Sequence, residues 1–446
     1  MQKNLITDIS VVATCLVVCA SFSSVAGVQF VKISNGQEIE KISSQMFRNN
    51  ILYVGGSGPG NYSRIQDAIN ASSDGDTVFV FQGSYPEKIM VNKSISVLGE
   101  NASRTFINYT YVPDWDSCVV MIHSHDVVFS GFTVFLEQGD GVLLRLKDSG
   151  NCTISHNIFR GKYGIYLLNS SYASIDNNSF FTILNGIYTI SSYGIIKYNW
   201  FTNNGDDPRH LSGIHLLVHA NENVISDNYF YHCAHYAILS YSPYRNIIER
   251  NIIRVNNSYD EGIAVYLEYS EYFPPGNIIR ENDIAGCDNG IGFSGDYFIV
   301  ENNFIHDNDH GMVFSTFSCY HVNVNNNTFL NDSTGLFMMY GKDGSTVERN
   351  IFQGCRRWGL SLYQCSGLTI QFNNFTSNTC AVEPFQSNSN VISQNNFVGN
   401  HRFVFSLLSR NIWRSNYWDE PRSLPKLILG ILPFVQFDWH PAQQPN

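Results

Sequence analysis

Asp206-Asp-Pro-Arg-His210 places two carboxylates, a guanidinium and an imidazole within five residues. Neighbouring aspartates can hold Ca2+, and Arg209 or His210 can carry a proton to or from a bound substrate. Ser258-Tyr-Asp-Glu261 adds Asp260 and Glu261, and Tyr269 and Tyr272 follow closely. His232, His235, Asp288 and His306-Asp-Asn-Asp-His310, which includes Asp307, complete the set. Two or three carboxylates at the right separation would suit hydrolysis of a glycosidic bond. Imidazoles, carboxylates and flat rings together would suit the binding of sugars. The same residue types also fill ordinary surface turns, so their position in the fold has to decide between these readings.

What positions them is a repeat. Asn-x-(Phe/Ile/Trp) recurs at Asn157, Asn178, Asn199, Asn228, Asn251, Asn282, Asn302, Asn327, Asn350, Asn373, Asn395 and Asn411, in steps of 16 to 31 residues. An alternating apolar pair precedes each anchor, as in Val322-x-Val324. A glycine-aliphatic segment follows it, as in Gly164-Ile-Tyr-Leu and Gly359-Leu-Ser-Leu. A period of 20 to 25 residues built of short alternating strands marks a solenoid. The leucine consensus of leucine-rich repeats and the helical period of longer repeats are both missing. The expected fold is therefore all-β, a right-handed parallel β-helix with about three short strands per coil. Stacked Asn amides would satisfy one another from coil to coil.

Ser63-Arg-Ile-Gln66 followed by Ala68 and Ile69 predicts a short capping helix with a Ser N-cap. An irregular, Pro-punctuated tail around Leu427 to Trp439 is expected over the last coil. The expected organisation is an export signal at 1–26, a linker at 27–50, the β-helix at 51–420 and a capping tail at 421–446. Lys3, the apolar run Val11 to Phe22 and Ser24-Val-Ala26 support the signal. Sequons such as Asn61-Tyr-Ser63 suit a glycosylated, secreted or cell-surface protein. No membrane span is expected after signal cleavage.

Only 15% of the residues are charged, and the formal net charge is −11. Phosphate binding needs a basic face, so nucleic acid is excluded as a partner. Of the ten cysteines, eight lie beyond the signal and none forms a CxxC pair, so they read as small core residues rather than zinc ligands.

Tyr53-Val-Gly-Gly-Ser-Gly-Pro-Gly-Asn61-Tyr, Ile65-Gln-Asp-Ala-Ile69, Gly75-Asp-Thr-Val-Phe-Val80, Gly83-Ser-Tyr85 and Val91-Asn-Lys-Ser-Ile95 form a series. It resembles the opening of β-helix proteins of the pectin-lyase-like superfamily. The nearest likeness is to the NosD-like (periplasmic copper-binding) and carbohydrate-binding/sugar-hydrolase type, common in exported archaeal surface proteins. Asn416-Tyr-Trp418-Asp419 is similar to the way NosD-like repeats close. The resemblance implies a fold but no single activity.

The leading expectation is an exported protein that binds polysaccharide or cell-surface glycan along one flank, without catalysis. The enzymatic alternative is a polysaccharide lyase, epimerase or glycoside hydrolase that uses Asp206, Asp207, Arg209 and His210. Asp207-Pro-Arg-His210 is similar to the Asp-Pro-His of alginate epimerases, with an Arg intervening. A third reading, copper handling, would draw on His215, His219, His232 and His235. The longest steps follow Asn199 and Asn251, and equal offsets in a solenoid mean one side. The expected binding groove is thus walled by those two insertions and lined by His232, His235, Asp260, Glu261, Tyr269, Tyr272, His306, Asp307 and His310.

Overall fold

Three short strands and three corners make one coil, and the next coil repeats them in register. Asn323–Asn325, Thr328–Leu330 and Thr334–Met339 form one such set. Each pairs in parallel with its counterpart in the following coil, Thr346–Glu348, Ile351–Gln353 or Trp358–Tyr363. These positions define a first, second and third face. The computed structural model describes residues 50–446 apart from 204–211, 234, 242–243, 256–260, 267–275, 315–318, 429 and 431–434. The second and third faces join into one sheet because Ile158–Leu168 and Ser179–Thr189 run unbroken around their shared corner.

The Asn ladder stands at the corner between the first and second faces. Asn350 shows its chemistry. Its Oδ1 accepts from the backbone N–H and the Nδ2 of Asn327 at 2.9 and 3.1 Å. Its Nδ2 donates to Asn373 Oδ1 at 3.0 Å and to the Val324 carbonyl at 2.9 Å. Each rung so satisfies polar groups of the coils beside it, which would otherwise be buried and unpaired at a cost of about 1–3 kcal/mol each. Two anchors shift from the sequence expectation. Asn303, not Asn302, is the rung, because the inward residue two positions on is Ile305. Asn302 is exposed at φ 57°. At the other end the last rung is Asn416, while Asn411 joins Asn390 in a separate amide ladder.

Two residues after the rung, one side chain per coil points inward and stacks. Phe159, Phe180, Phe201 and Phe230 lie 4.7–5.1 Å apart, ring to ring. Ile253, Ile284 and Ile305 continue the column, and Phe329, Phe352, Phe375, Phe397 and Trp418 complete it. The third face packs on this column through its glycines. A Cβ on Gly186 would come within 2.6 Å of the Gly213 carbonyl and 2.7 Å of the Phe201 ring.

Both ends are closed. Ile65–Ala71 is helical, with Ile65, Ala68 and Ile69 buried as the pattern requires. Its cap differs from the expected Ser box. Arg64 is the N-cap residue and makes no side-chain capping bond, its guanidinium lying 3.6 Å from Glu87 instead, and the Glu87 carboxylate takes the Ile65 and Gln66 N–H groups at 2.8 and 3.2 Å. The C-terminal cap is more regular than expected. Lys426–Ile428 and Gln436–Asp438 pair antiparallel, and Asp438 lies beside Trp413 of the last coil. Buried Asp438 accepts from the N–H and Nδ2 of Asn416 and from Trp418 Nε1 at 3.0–3.1 Å, which ends the ladder in an acceptor.

The eight cysteines among the described residues are free thiols, seven of them buried. Burial pushes Cys319 up to about 11 and Cys365 up to about 12.

Candidate functional site on the third face

In each third-face strand the residue after the corner position (glycine in most coils, Leu143, Ala237 or Ala381 in others) points into the core and the next one points out. Register aligns these outward residues into a column: Arg145, Tyr166, Tyr188, His215, Leu239, Ala264, Gly292, Val313, Phe337, Ser361 and Glu383. Three residues earlier runs a parallel column, from Tyr163 through Asn185, Ser212, Tyr236, Glu261, Asn289, His310 and Thr334 to Trp358. The solenoid thus turns scattered residues into two rows about 4.8 Å apart per step.

At the end of the face nearer the C-terminus, a groove of about 370 Å³ is lined by Phe337, Trp358, Tyr363 and Phe385, with polar groups from His310, Thr334, Arg357, Ser361 and Glu383. The Arg357 guanidinium lies 3.7 Å from the Trp358 ring centre. Glu383 accepts from the Ser361 hydroxyl at 3.2 Å. Burial raises the Glu383 carboxyl above the usual carboxylate range, while Ser361 and Arg357 pull it back. Thr334 is 1% exposed and its hydroxyl has no hydrogen-bond partner among the described residues.

His310 joins this groove to an acidic corner. Its ring, Asp288 and Asp309 offer ligand atoms that all lie within 4.8 Å of one another. Two strands back, Glu261 accepts from Tyr266 Oη at 3.0 Å and from Asn289 Nδ2 at 3.1 Å. Burial raises the Glu261 carboxyl, and the field of Asp288 adds to it. Burial likewise raises Asp288, with His310 opposing and Asp309 reinforcing. Such a carboxyl can serve as a proton donor or acceptor.

Toward the other end, aromatic rings cover the face themselves. Trp115 lies 4.7 Å from Tyr166 and 5.1 Å from Tyr188, and Tyr188 meets His215 at 5.0 Å. Arg145 donates to the Trp115 and Asp116 carbonyls.

The expected site residues divide. Asp206, Asp207, Arg209 and His210 lie outside the described residues, as do Asp260, Tyr269 and Tyr272, so the expected Ca2+ pair falls there too. The strands that flank 204–211 and 256–260 belong to the second and third faces, so both insertions enter at the same corner. Glu261, His310 and His235 sit where that corner meets the third face. His235 is close enough for its charge to act on Glu261. His306 and Asp307 turn elsewhere. The His306 ring binds Asp307 at 2.7 Å and Asp283 at 3.1 Å, and Asp283 pairs with Arg254 on the second face. His232 packs edge-on against the exposed Tyr231 ring, also of the second face. They therefore do not form the expected groove floor. Among the described residues, His215, His219, His232 and His235 belong to no group of three or more side chains able to hold a metal.

The groove residues Thr334, Phe337, Arg357, Trp358, Ser361, Tyr363, Glu383 and Phe385 were missed by sequence reasoning. A signal was present for two of them: Phe337 and Ser361 are each the second residue after the strand's glycine, as in Gly335-Leu-Phe337 and Gly359-Leu-Ser361.

Comparison with known proteins agrees on the architecture. Residues 94–217 and 141–291 match the family described as right handed beta helix region. Residues 274–430 match periplasmic copper-binding protein (NosD). No curated protein matches. Among solved structures, the Dettilon tailspike protein is 14% identical with a TM-score of 0.45, over 77% of this chain and 63% of the tailspike. This chain therefore spans somewhat less than two thirds of that tailspike's length. The A-module of Azotobacter vinelandii mannuronan C-5 epimerase AlgE6 is 14% identical with a TM-score of 0.38, over 78% of this chain and 94% of the module. A tailspike mutant of E. coli bacteriophage HK620, in complex with pentasaccharide, is 10% identical with a TM-score of 0.48, over 80% of this chain and 77% of the tailspike.

Proposed function

We propose that this chain, a right-handed parallel β-helix protein of the pectin-lyase-like kind, binds polysaccharide along its third face. The observation that carries the reading is the groove lined by four aromatic rings together with two aliphatic hydroxyls, an imidazole, a guanidinium and a carboxyl. Pyranose rings present apolar C–H faces that stack on such platforms, and their hydroxyls bond to the polar groups between them. The insertions that carry Asp206–His210 and Asp260 interrupt coils further along the same face, whose strands begin at Ser212 and Glu261, four and two coils from His310. Export to the cell surface, which the N-terminal sequence predicts, suits a glycan ligand. The periplasmic description of the NosD family points the same way. Among the described residues no helix is long and apolar enough to cross a membrane.

Binding without turnover is the leading reading. A second, cleavage of the bound polysaccharide, is favoured by one observation: Glu261 and Asp288, on adjacent coils, are both carboxyls raised by burial. The test is a glycan array followed by incubation of the bound glycans. Binding without new reducing ends or unsaturated products supports the first reading, and release of such products the second. Absence of glycan binding would leave a scaffold or adhesion role instead.

A further inference from the structure

We infer that the groove selects an uncharged glycan, and that one sugar unit stacks on Trp358 with a hydroxyl or acetamido group on Thr334. This rests on the polysaccharide-binding reading and narrows its ligand class. The first ground is the buried Thr334 hydroxyl. It is 1% exposed, has no hydrogen-bond partner among the described residues, and lines the groove between His310 and Trp358 in register. A buried hydroxyl without a partner is costly, and a ligand group that both donates and accepts would satisfy it. The Nδ1 atom of His310 beside it is buried, with the Asp309 carboxylate 3.6 Å away. An unfilled hydroxyl beside an aromatic platform suits a sugar hydroxyl, or an acetamido group whose methyl meets the rings.

The second ground is charge. Glu383 lies in the groove, Asp288 and Asp309 flank His310, and Glu261 lies further along the same column. The groove's one guanidinium, Arg357, rests on the Trp358 ring and its field already acts on Glu383. A uronate would bring a further carboxylate to a groove where Glu383 and, beside His310, Asp288 and Asp309 already stand. Like charges in a partly desolvated site repel strongly. A neutral sugar meets no such penalty.

The experiment is calorimetric titration of the exported full chain with neutral oligosaccharides (manno-, cello- and chito-oligomers) and with oligouronates, at pH 7 with either EDTA or added calcium. Trp358→Ala and Thr334→Val are titrated in parallel, with thermal melting as the fold control. The expected result is binding of at least one neutral series at least about tenfold tighter than any uronate, with about tenfold loss in Trp358→Ala. Thr334→Val should lose about three- to tenfold in affinity without a lower melting temperature, since the hydroxyl it removes has no partner in the free protein. Tighter binding of a uronate, with or without calcium, overturns the charge argument but leaves polysaccharide binding standing. Neutral binding unchanged in both variants places the site elsewhere. No binding of either class overturns this inference and the reading beneath it.

Discussion

Asp332 accepts at Oδ1 from both the backbone N–H and the Nδ2 of Asn308, at 2.9 and 3.0 Å, the geometry Asn400 offers Asn378 at 3.0 and 2.9 Å. It is an aspartate in an asparagine's place, fully buried, and its Oδ2 has no hydrogen-bond partner among the described residues. Asn378 uses its Nδ2 to reach the Phe352 carbonyl at 2.9 Å. A protonated Oδ2 on Asp332 is the group that can donate in the same way. Burial indeed raises this carboxyl well above the usual range, although Asn308 favours the anion.

Asp332→Asn is therefore expected to stabilise the fold at pH 7 by about 1–3 kcal/mol, because an amide donates without holding a proton. The sign follows from proton counting. Between the unfolded carboxyl's pKa of about 3.9 and its raised folded value, the native state holds more protons, so stability falls as pH rises through that window. The variant should lose this contribution to the slope. Melting followed from pH 4 to 8 checks it, and a variant that melts lower than the wild type at pH 7 would refute the protonated rung.

Asn350→Ala should cost about 2–4 kcal/mol, because it strands the N–H and Nδ2 of Asn327 and the Val324 carbonyl in the interior. Asn302→Gly, one residue from a true rung but exposed at φ 57°, should stay within about 0.5 kcal/mol. Chemical denaturation of the two variants separates them. Equal effects would mean that the amide bonds contribute nothing net.

Asp438→Ala removes the acceptor that ends the ladder on Asn416 and Trp418. Coils in a solenoid contact only their neighbours, so the damage should be local. Hydrogen exchange should quicken in residues 410–418 and stay unchanged around Asn178–Phe201. Uniform loss of protection along the chain would show that the solenoid unfolds as one unit.

Changing Asp206, Asp207 and His210 together to Ala should weaken glycan binding by several-fold if that insertion walls the groove, about 1 kcal/mol for a peripheral contact. Trp358→Ala should weaken it more. Full affinity in a folded triple variant would confine the ligand to the strands themselves.

The sequence alone determined the solenoid, because a parallel stack repeats one chemical environment every coil and writes it into the chain as a period. Asn350, Phe352 and Gly359 each answer to neighbours at fixed offsets, so their types were readable without coordinates. The same logic located the buried face of the capping helix, whereas its cap, Glu87, came from 22 residues away and left no local trace. Asn302 and Asn411 were misassigned because Asn-x-aromatic recurs one residue or five from the true rung, and only pairing decides which amide points inward. The binding face needed the tertiary structure for a related reason. His306 and His310 are four residues apart in the chain, yet the corner between them sends one to the second face and the other to the third. Thr334, Trp358 and Glu383 come from three successive coils, and nothing in their own segments marks them as neighbours. Period fixes which residues face inward. Which outward residues meet depends on the register and on the angle of each corner, and those are properties of the packed stack.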